Sequence, residues 1–123
     1  SIHLPLTKET HHLIDYSKLC KMKKEAFLIN TSRGRIVCER DLFRILKEGK
    51  IKGAALDVRE EEPPGESPLH KLENVIFTPH IAAFTKEAQE RVVSSAARDV
   101  AKMLRGEKPV HIVNREVLPL LNR

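Results

Sequence analysis

Ala26-Phe27-Leu28-Ile29-Asn30, running into Thr31-Ser32-Arg33-Gly34, is the stretch on which the fold turns. Four apolar residues closed by a polar one are too few for a helix, and they show no polar alternation. That is the mark of a strand buried on both faces, as strands inside a parallel sheet are. Two further runs share the character. Gly53-Ala54-Ala55-Leu56-Asp57-Val58 is small at its start, where a helix could pack closely, and Val75-Ile76-Phe77-Thr78 is broken by Pro79-His80. Ser1-Ile2-His3-Leu4-Pro5-Leu6 reads as the end of an earlier strand entering a loop, which gives about four strands in all.

Helical signals lie between and after these runs. Leu13, Ile14, Leu19 and Met22 suit one or two helical turns, and Leu42, Phe43, Ile45 and Leu46 trace a stripe that Gly49 ends. From Thr85 the apolar positions Ala88, Val92, Val93, Ala96, Ala97, Val100 and Leu104 step by three and four. With Thr85 as cap and Gly106 as stop they predict a helix of about 20 residues. The proline- and glutamate-rich segment from Glu60 to Leu69 is a loop, and the tail from Val110 to Arg123 has no placed element.

The chain has 123 residues, the size of one small domain. Its 41% apolar and 32% charged residues fit a globular domain rather than a disordered one. Apolar runs of four or so fall far short of the ~20 residues of a membrane span. No cationic-then-apolar leader opens the chain, so no signal peptide is expected. The charge is +5, yet there are few aromatic side chains and no block of like charge, so a solvated surface is expected rather than nucleic-acid binding. Cys20 and Cys38 form no CxxC and no metal-ligand spacing with the six histidines; no metal is expected, and a reducing cytoplasm suits the free thiols.

Short apolar strands alternating with helices imply βαβ units, and such sheets bind ligands beyond the carboxyl ends of their strands. The polar residues fall there: Asn30 to Arg33 after one strand, Asp57 to Glu62 after the next, His80 after the last. Arginine grips a carboxylate through two parallel hydrogen bonds. Histidine exchanges a proton near neutral pH, and a glutamate beside it favours the charged ring. Together these suit reduction of a 2-keto acid if a cofactor brings hydride. Spacing alone does not single that chemistry out.

The words themselves are more specific. Phe27-Leu28-Ile29-Asn30-Thr31-Ser32-Arg33-Gly34-Arg35-Ile36-Val37 closely resembles a signature of the D-isomer-specific 2-hydroxyacid dehydrogenases. Gly53 to Val58 with Glu60-Glu61-Glu62-Pro63, Ser67-Pro68-Leu69 and Asn74 to Ala82 resemble the blocks that follow, and His3-Leu4-Pro5-Leu6-Thr7 with Thr10 resembles an earlier nucleotide loop. The phosphoglycerate dehydrogenase subgroup is the nearest in wording. The resemblance implies an α/β fold: the second half of a Rossmann-type, doubly wound parallel sheet in three αβα layers. It implies a partial dinucleotide-binding domain over 1–109 and a tail over 110–123 that returns toward a substrate domain.

It also implies roles. Arg33 would hold the substrate carboxylate and carbonyl oxygen, His80 would be the general acid/base, and Glu62 would hydrogen-bond His80 and favour its protonated form; Glu60 and Glu61 would face solvent. Asp57 would accept from the nicotinamide carboxamide, and Pro5, Thr7, Thr10, Thr31, Ser32 and Ala82 would line the NAD site. His3, His11, His12, His70 and His111 are expected as surface or loop histidines. Cys38 stands where the family often has aspartate and should cap the next helix poorly, by on the order of 1 kcal/mol. Arg59 replaces a common aromatic residue, which unsettles the packing of its loop.

No Gly-x-Gly-x-x-Gly occurs in the 123 residues. The expectation is therefore a fragment of an NAD-dependent enzyme acting on a small 2-keto or 2-hydroxy carboxylate. Alone it would be inactive; its parent would be a cytoplasmic homodimer with no nucleic-acid or membrane partner. The alternative is a nucleotide-sensing corepressor or scaffold of the same fold.

Overall fold

The structure is a computed structural model that describes residues 1–117. Three parallel strands, β1 (Phe27–Asn30), β2 (Gly53–Leu56) and β3 (Val75–Phe77), hydrogen-bond in sequence order. The helices are α1 (Tyr16–Leu19), α2 (Glu39–Lys47) and α3 (Lys86–Leu104), with 3₁₀ turns at Gly34–Ile36, Pro68–Lys71 and Arg115–Val117. The expected opening strand is reduced to one parallel bridge, Ile2 to Asn30, with the Ile2 amide donating to the Ile29 carbonyl over 2.9 Å.

Register decides which side chains meet. Leu28, Ala54 and Val75 form one cross-strand row, and Asn30, Leu56 and Phe77 the next. These rows join Leu19 of α1, Leu42, Ile45 and Leu46 of α2, and Leu69 in one core. The alternate residues form the row Ile29–Ala55–Ile76, with Phe27 beside Gly53. Phe27 is 57% exposed and Ile76 68%. So β1 is buried on one face, not on both: the helix and turn that link the strands share a single core on the Leu28 side. Gly53 is small for a different reason than the one expected. A Cβ there would lie 2.6 Å from the Asn74 carbonyl and 3.1 Å from the Phe27 ring, so a strand neighbour, not a helix, takes the space.

Gly49, at φ +64°, ends α2 in the left-handed conformation that glycine adopts without strain. Compact packing divides the chain after Ala82. In the second unit α3 starts as expected, the Thr85 hydroxyl accepting from the Ala88 amide over 3.2 Å. It buries none of its residues, so the apolar stripe from Val92 to Leu104 stays open. Asp99 accepts from the Val110 and His111 amides, which folds the following segment back against the helix. Among the described residues no helix is long and apolar enough to cross a membrane.

Candidate functional site

Because the strands are parallel, the segments that follow them emerge at one edge of the sheet. Asn30 ends β1 and is 1% exposed. Its Oδ1 accepts from the Ser32 amide (3.1 Å) and hydroxyl (3.0 Å), while Nδ2 donates to the Arg33 carbonyl (3.0 Å). That turn presents Arg33 exposed, with Nη1 donating to the Ser32 carbonyl. Gly34 follows, and a Cβ on it would fall 1.8 Å from the Arg59 carbonyl oxygen. Two rim loops touch backbone to backbone here, which sets the loop of Arg33 against the loop of Glu62.

Asp57, 5% exposed, fastens a third loop. Its Oδ1 accepts from the Thr78 hydroxyl and the Ile81 amide, its Oδ2 from the Ala82 amide, and its carbonyl from the His80 amide. Burial opposes its charge, but the Thr78 hydroxyl, the two amides and the neighbouring His80 outweigh it and hold the carboxyl below its usual range. The expected nicotinamide acceptor is thus first a clamp on the turn that carries His80. The Ala82 amide is spent on that clamp, while Oδ2 keeps room for one more donor.

His80 sits in this turn with φ +55°. Its Nδ1 lies 2.8 Å from Glu62 Oε2, and Glu62 Oε1 accepts from the Arg59 amide over 3.0 Å. Burial raises the Glu62 pKa, but the Arg59 amide, the His80 ring and the Arg33 guanidinium together push it below the ordinary value. An ionised carboxylate only accepts, so Nδ1 carries the hydrogen and Nε2 is left for another partner. Arg33, Glu62 and His80 are brought to one rim.

The nucleotide loop is tied by hydroxyls. Thr10 Oγ1 donates to the Pro5 carbonyl (2.7 Å) and accepts from the Thr7 amide (2.7 Å); Thr7 Oγ1 accepts from the Thr10 amide (3.3 Å). Thr31 is exposed, and the Ser32 hydroxyl is engaged by Asn30.

Three expectations are corrected. Glu60 is not simply solvent-facing but half-buried: its Oε1 accepts from the Glu39 amide over 2.6 Å, capping α2 where Cys38 makes no side-chain cap bond. Arg59 does not loosen its loop; at 8% exposure it forks onto both oxygens of Glu39 at 2.8 Å and lies over the Phe77 ring. His70, though exposed, is more than a surface residue, with Nε2 2.9 Å from Arg59 Nη1. The roles of Asn30 and Glu39 carry no sequence signal, since each works through bonds to other segments or to main chain.

Residues 1–82 match the family described as D-isomer specific 2-hydroxyacid dehydrogenase, NAD binding domain. A glyoxylate reductase of Thermofilum pendens is 56% identical over 119 residues, which is 96% of this chain and 35% of that relative. A D-3-phosphoglycerate dehydrogenase of Methanocaldococcus jannaschii is 46% identical over 97% of this chain and 23% of its own length. The crystal structure of the TT0316 protein from Thermus thermophilus superposes with a TM-score of 0.83 at 39% identity, covering 90% of this chain and 36% of that one. The chain therefore spans about a third of the length of most of the curated relatives it matches, and it carries the Rossmann-like parallel sheet of the dehydrogenases. It belongs to the D-isomer specific 2-hydroxyacid dehydrogenase NAD-binding domain family.

Proposed function

We propose that the chain supplies the carboxylate-gripping and proton-transferring half of an NAD-dependent enzyme acting on small 2-keto or 2-hydroxy carboxylates. The observation that carries this reading is the His80–Glu62 pair at 2.8 Å, with its free ring nitrogen on the rim that Arg33 shares. Arg33 takes the substrate carboxylate in a two-point grip, which turns the neighbouring carbonyl oxygen toward Nε2 of His80. The Nε2 proton passes to that oxygen as the carbonyl becomes an alcohol, and Glu62 steadies the ring in its charged form beforehand.

The residues present fit a nicotinamide dinucleotide. Asp57 Oδ2 has an unused acceptor direction toward a carboxamide, and Thr7, Thr31 and the Pro5 to Thr10 turn offer polar atoms along the same edge. Bound there, the dinucleotide would supply the hydride. Glyoxylate and 3-phosphohydroxypyruvate are the substrates to compare, since both kinds of relative are matched. A reducing cytoplasm suits the free thiols of Cys20 and Cys38, and the same proposal takes the enzyme to be a homodimer that needs neither nucleic acid nor membrane. A corepressor or scaffold would need neither the His80–Glu62 pair nor Arg33.

The test grafts this chain in place of the matching segment of the Thermofilum pendens reductase and follows NADH oxidation with each keto acid. The chain alone should not turn over; the graft should, and Arg33→Ala or His80→Ala should cost it at least about a hundredfold. A folded, NADH-binding graft that keeps full turnover in both variants overturns the reading.

A further inference from the structure

Beside the loops that carry Arg33 and Glu62, a cleft of about 480 Å³ opens between the loop after Thr10, the start of α2 and the loop after β2. His12 and Glu60 line it, and with the buried Cys38 behind them they bring a ring nitrogen, a carboxylate oxygen and a sulfur within 4.8 Å of one another. The three lie 26 and 22 positions apart in the chain, so no ligand motif announces them. His12 Nε2 is shut off from solvent and makes no hydrogen bond, although it lies 3.2 Å from Glu60 Oε1. The two groups are close but misaligned for a hydrogen bond. A separation near 3.3 Å is, however, about the edge of a tetrahedron built on metal bonds of ~2.0–2.1 Å.

Backbone geometry holds each donor in place. His12 adopts φ +49°, and its amide donates to the Arg35 carbonyl over 2.8 Å. The Cys38 amide donates to the Ile14 carbonyl over 3.0 Å, which leaves the sulfur at the start of α2 without a capping bond. The Glu60 amide donates to Glu39 Oε1 over 2.9 Å. We propose that His12, Cys38 and Glu60 form a zinc site with its fourth position open to water. One thiolate, one imidazole and one carboxylate make a borderline-soft donor set, which suits zinc and turns away magnesium and calcium. Of the two arginines that line the cleft, Arg59 is already neutralised by Glu39, and Arg35 turns its Nε to the Glu60 carbonyl. An unbonded, solvent-shielded imidazole nitrogen is otherwise a cost to the fold, and a metal bond removes it.

The test adds zinc, and separately cobalt, to the full 123-residue chain after chelator treatment. One zinc per chain should bind, and cobalt should give a thiolate-to-metal charge-transfer band. Cys38→Ser should abolish the band and weaken zinc binding by more than about tenfold, whereas Cys20→Ser, at the exposed thiol, should change neither. Should Cys38→Ser fail to fold, His12→Asn tolerates the left-handed backbone and Glu60→Gln keeps an acceptor for the Glu39 amide; each should cost the same tenfold. Absence of stoichiometric zinc, a band that survives Cys38→Ser, or unchanged affinity in either other variant overturns the proposal.

Discussion

His80 occupies a left-handed conformation that costs a residue with a Cβ about 1–2 kcal/mol. Such strain persists only where the surroundings over-determine it, and Asp57 does so: it accepts from the His80, Ile81 and Ala82 amides in succession. In Asp57→Asn the new amide group must turn one N–H toward a backbone donor, leaving buried hydrogen-bonding capacity unmet. The expected loss is about 2 kcal/mol in urea unfolding, with faster hydrogen exchange at Ile81 and Ala82. Unchanged exchange at both amides would remove Asp57 from its clamping role. The site was legible in part for the same reason. Arg33, Glu62 and His80 stand in recognisable words, and the Glu62 and His80 side chains meet at the rim. What Asp57 does was not legible, because its bonds run more than 20 residues along the chain to main-chain groups that any sequence supplies.

Elements meet here through close backbone approach. The 3₁₀ turn that begins at Gly34 abuts the Arg59 carbonyl so tightly that only hydrogen fits, which is what holds the Arg33 and Glu62 loops together. Gly34→Ala should therefore cost on the order of 3 kcal/mol, and Gly65→Ala, whose Cβ would meet nothing nearer than 3.8 Å, should stay within about 0.5 kcal/mol. Equal melting temperatures for the two variants would contradict this account. The three strands and α3 were readable because length and spacing suffice to define them. That β1 buries one face and not two was unreadable: Phe27-Leu28-Ile29 is apolar on both faces, and only the side chosen by the connecting helix and turn decides which is covered. The start of α2 was half readable. Cys38 is a poor cap, but the compensating Glu60 carboxylate comes from another loop.

Across the first unit as a whole, one buried ion pair links parts that the sheet alone does not. Arg59 reaches Glu39 at the start of α2, His70 in the turn before β3, and the Phe77 ring within β3 at 4.6 Å. Its side chain is 7% exposed and that of Glu39 16%, so removing one partner strands a charge. Burial raises the Glu39 pKa, but the Arg59 guanidinium, the Glu60 amide and the nearby His70 more than offset it and leave the carboxyl below its usual 4.5. Asp57 and Glu62 are displaced in the same direction. A carboxylate with a depressed folded pKa binds fewer protons folded than unfolded. Its stabilisation is complete above the unfolded value and fades as pH falls through the folded one. Thermal unfolding followed from pH 7 to pH 3 should thus show stability level near neutrality and falling below about pH 4.5. Glu39→Gln should lose about 3 kcal/mol at pH 7 and show a shallower acid limb, because the stranded Arg59 is equally costly at every pH in that range. Acid limbs of equal slope in the two proteins would mean that the pair does not govern the pH dependence.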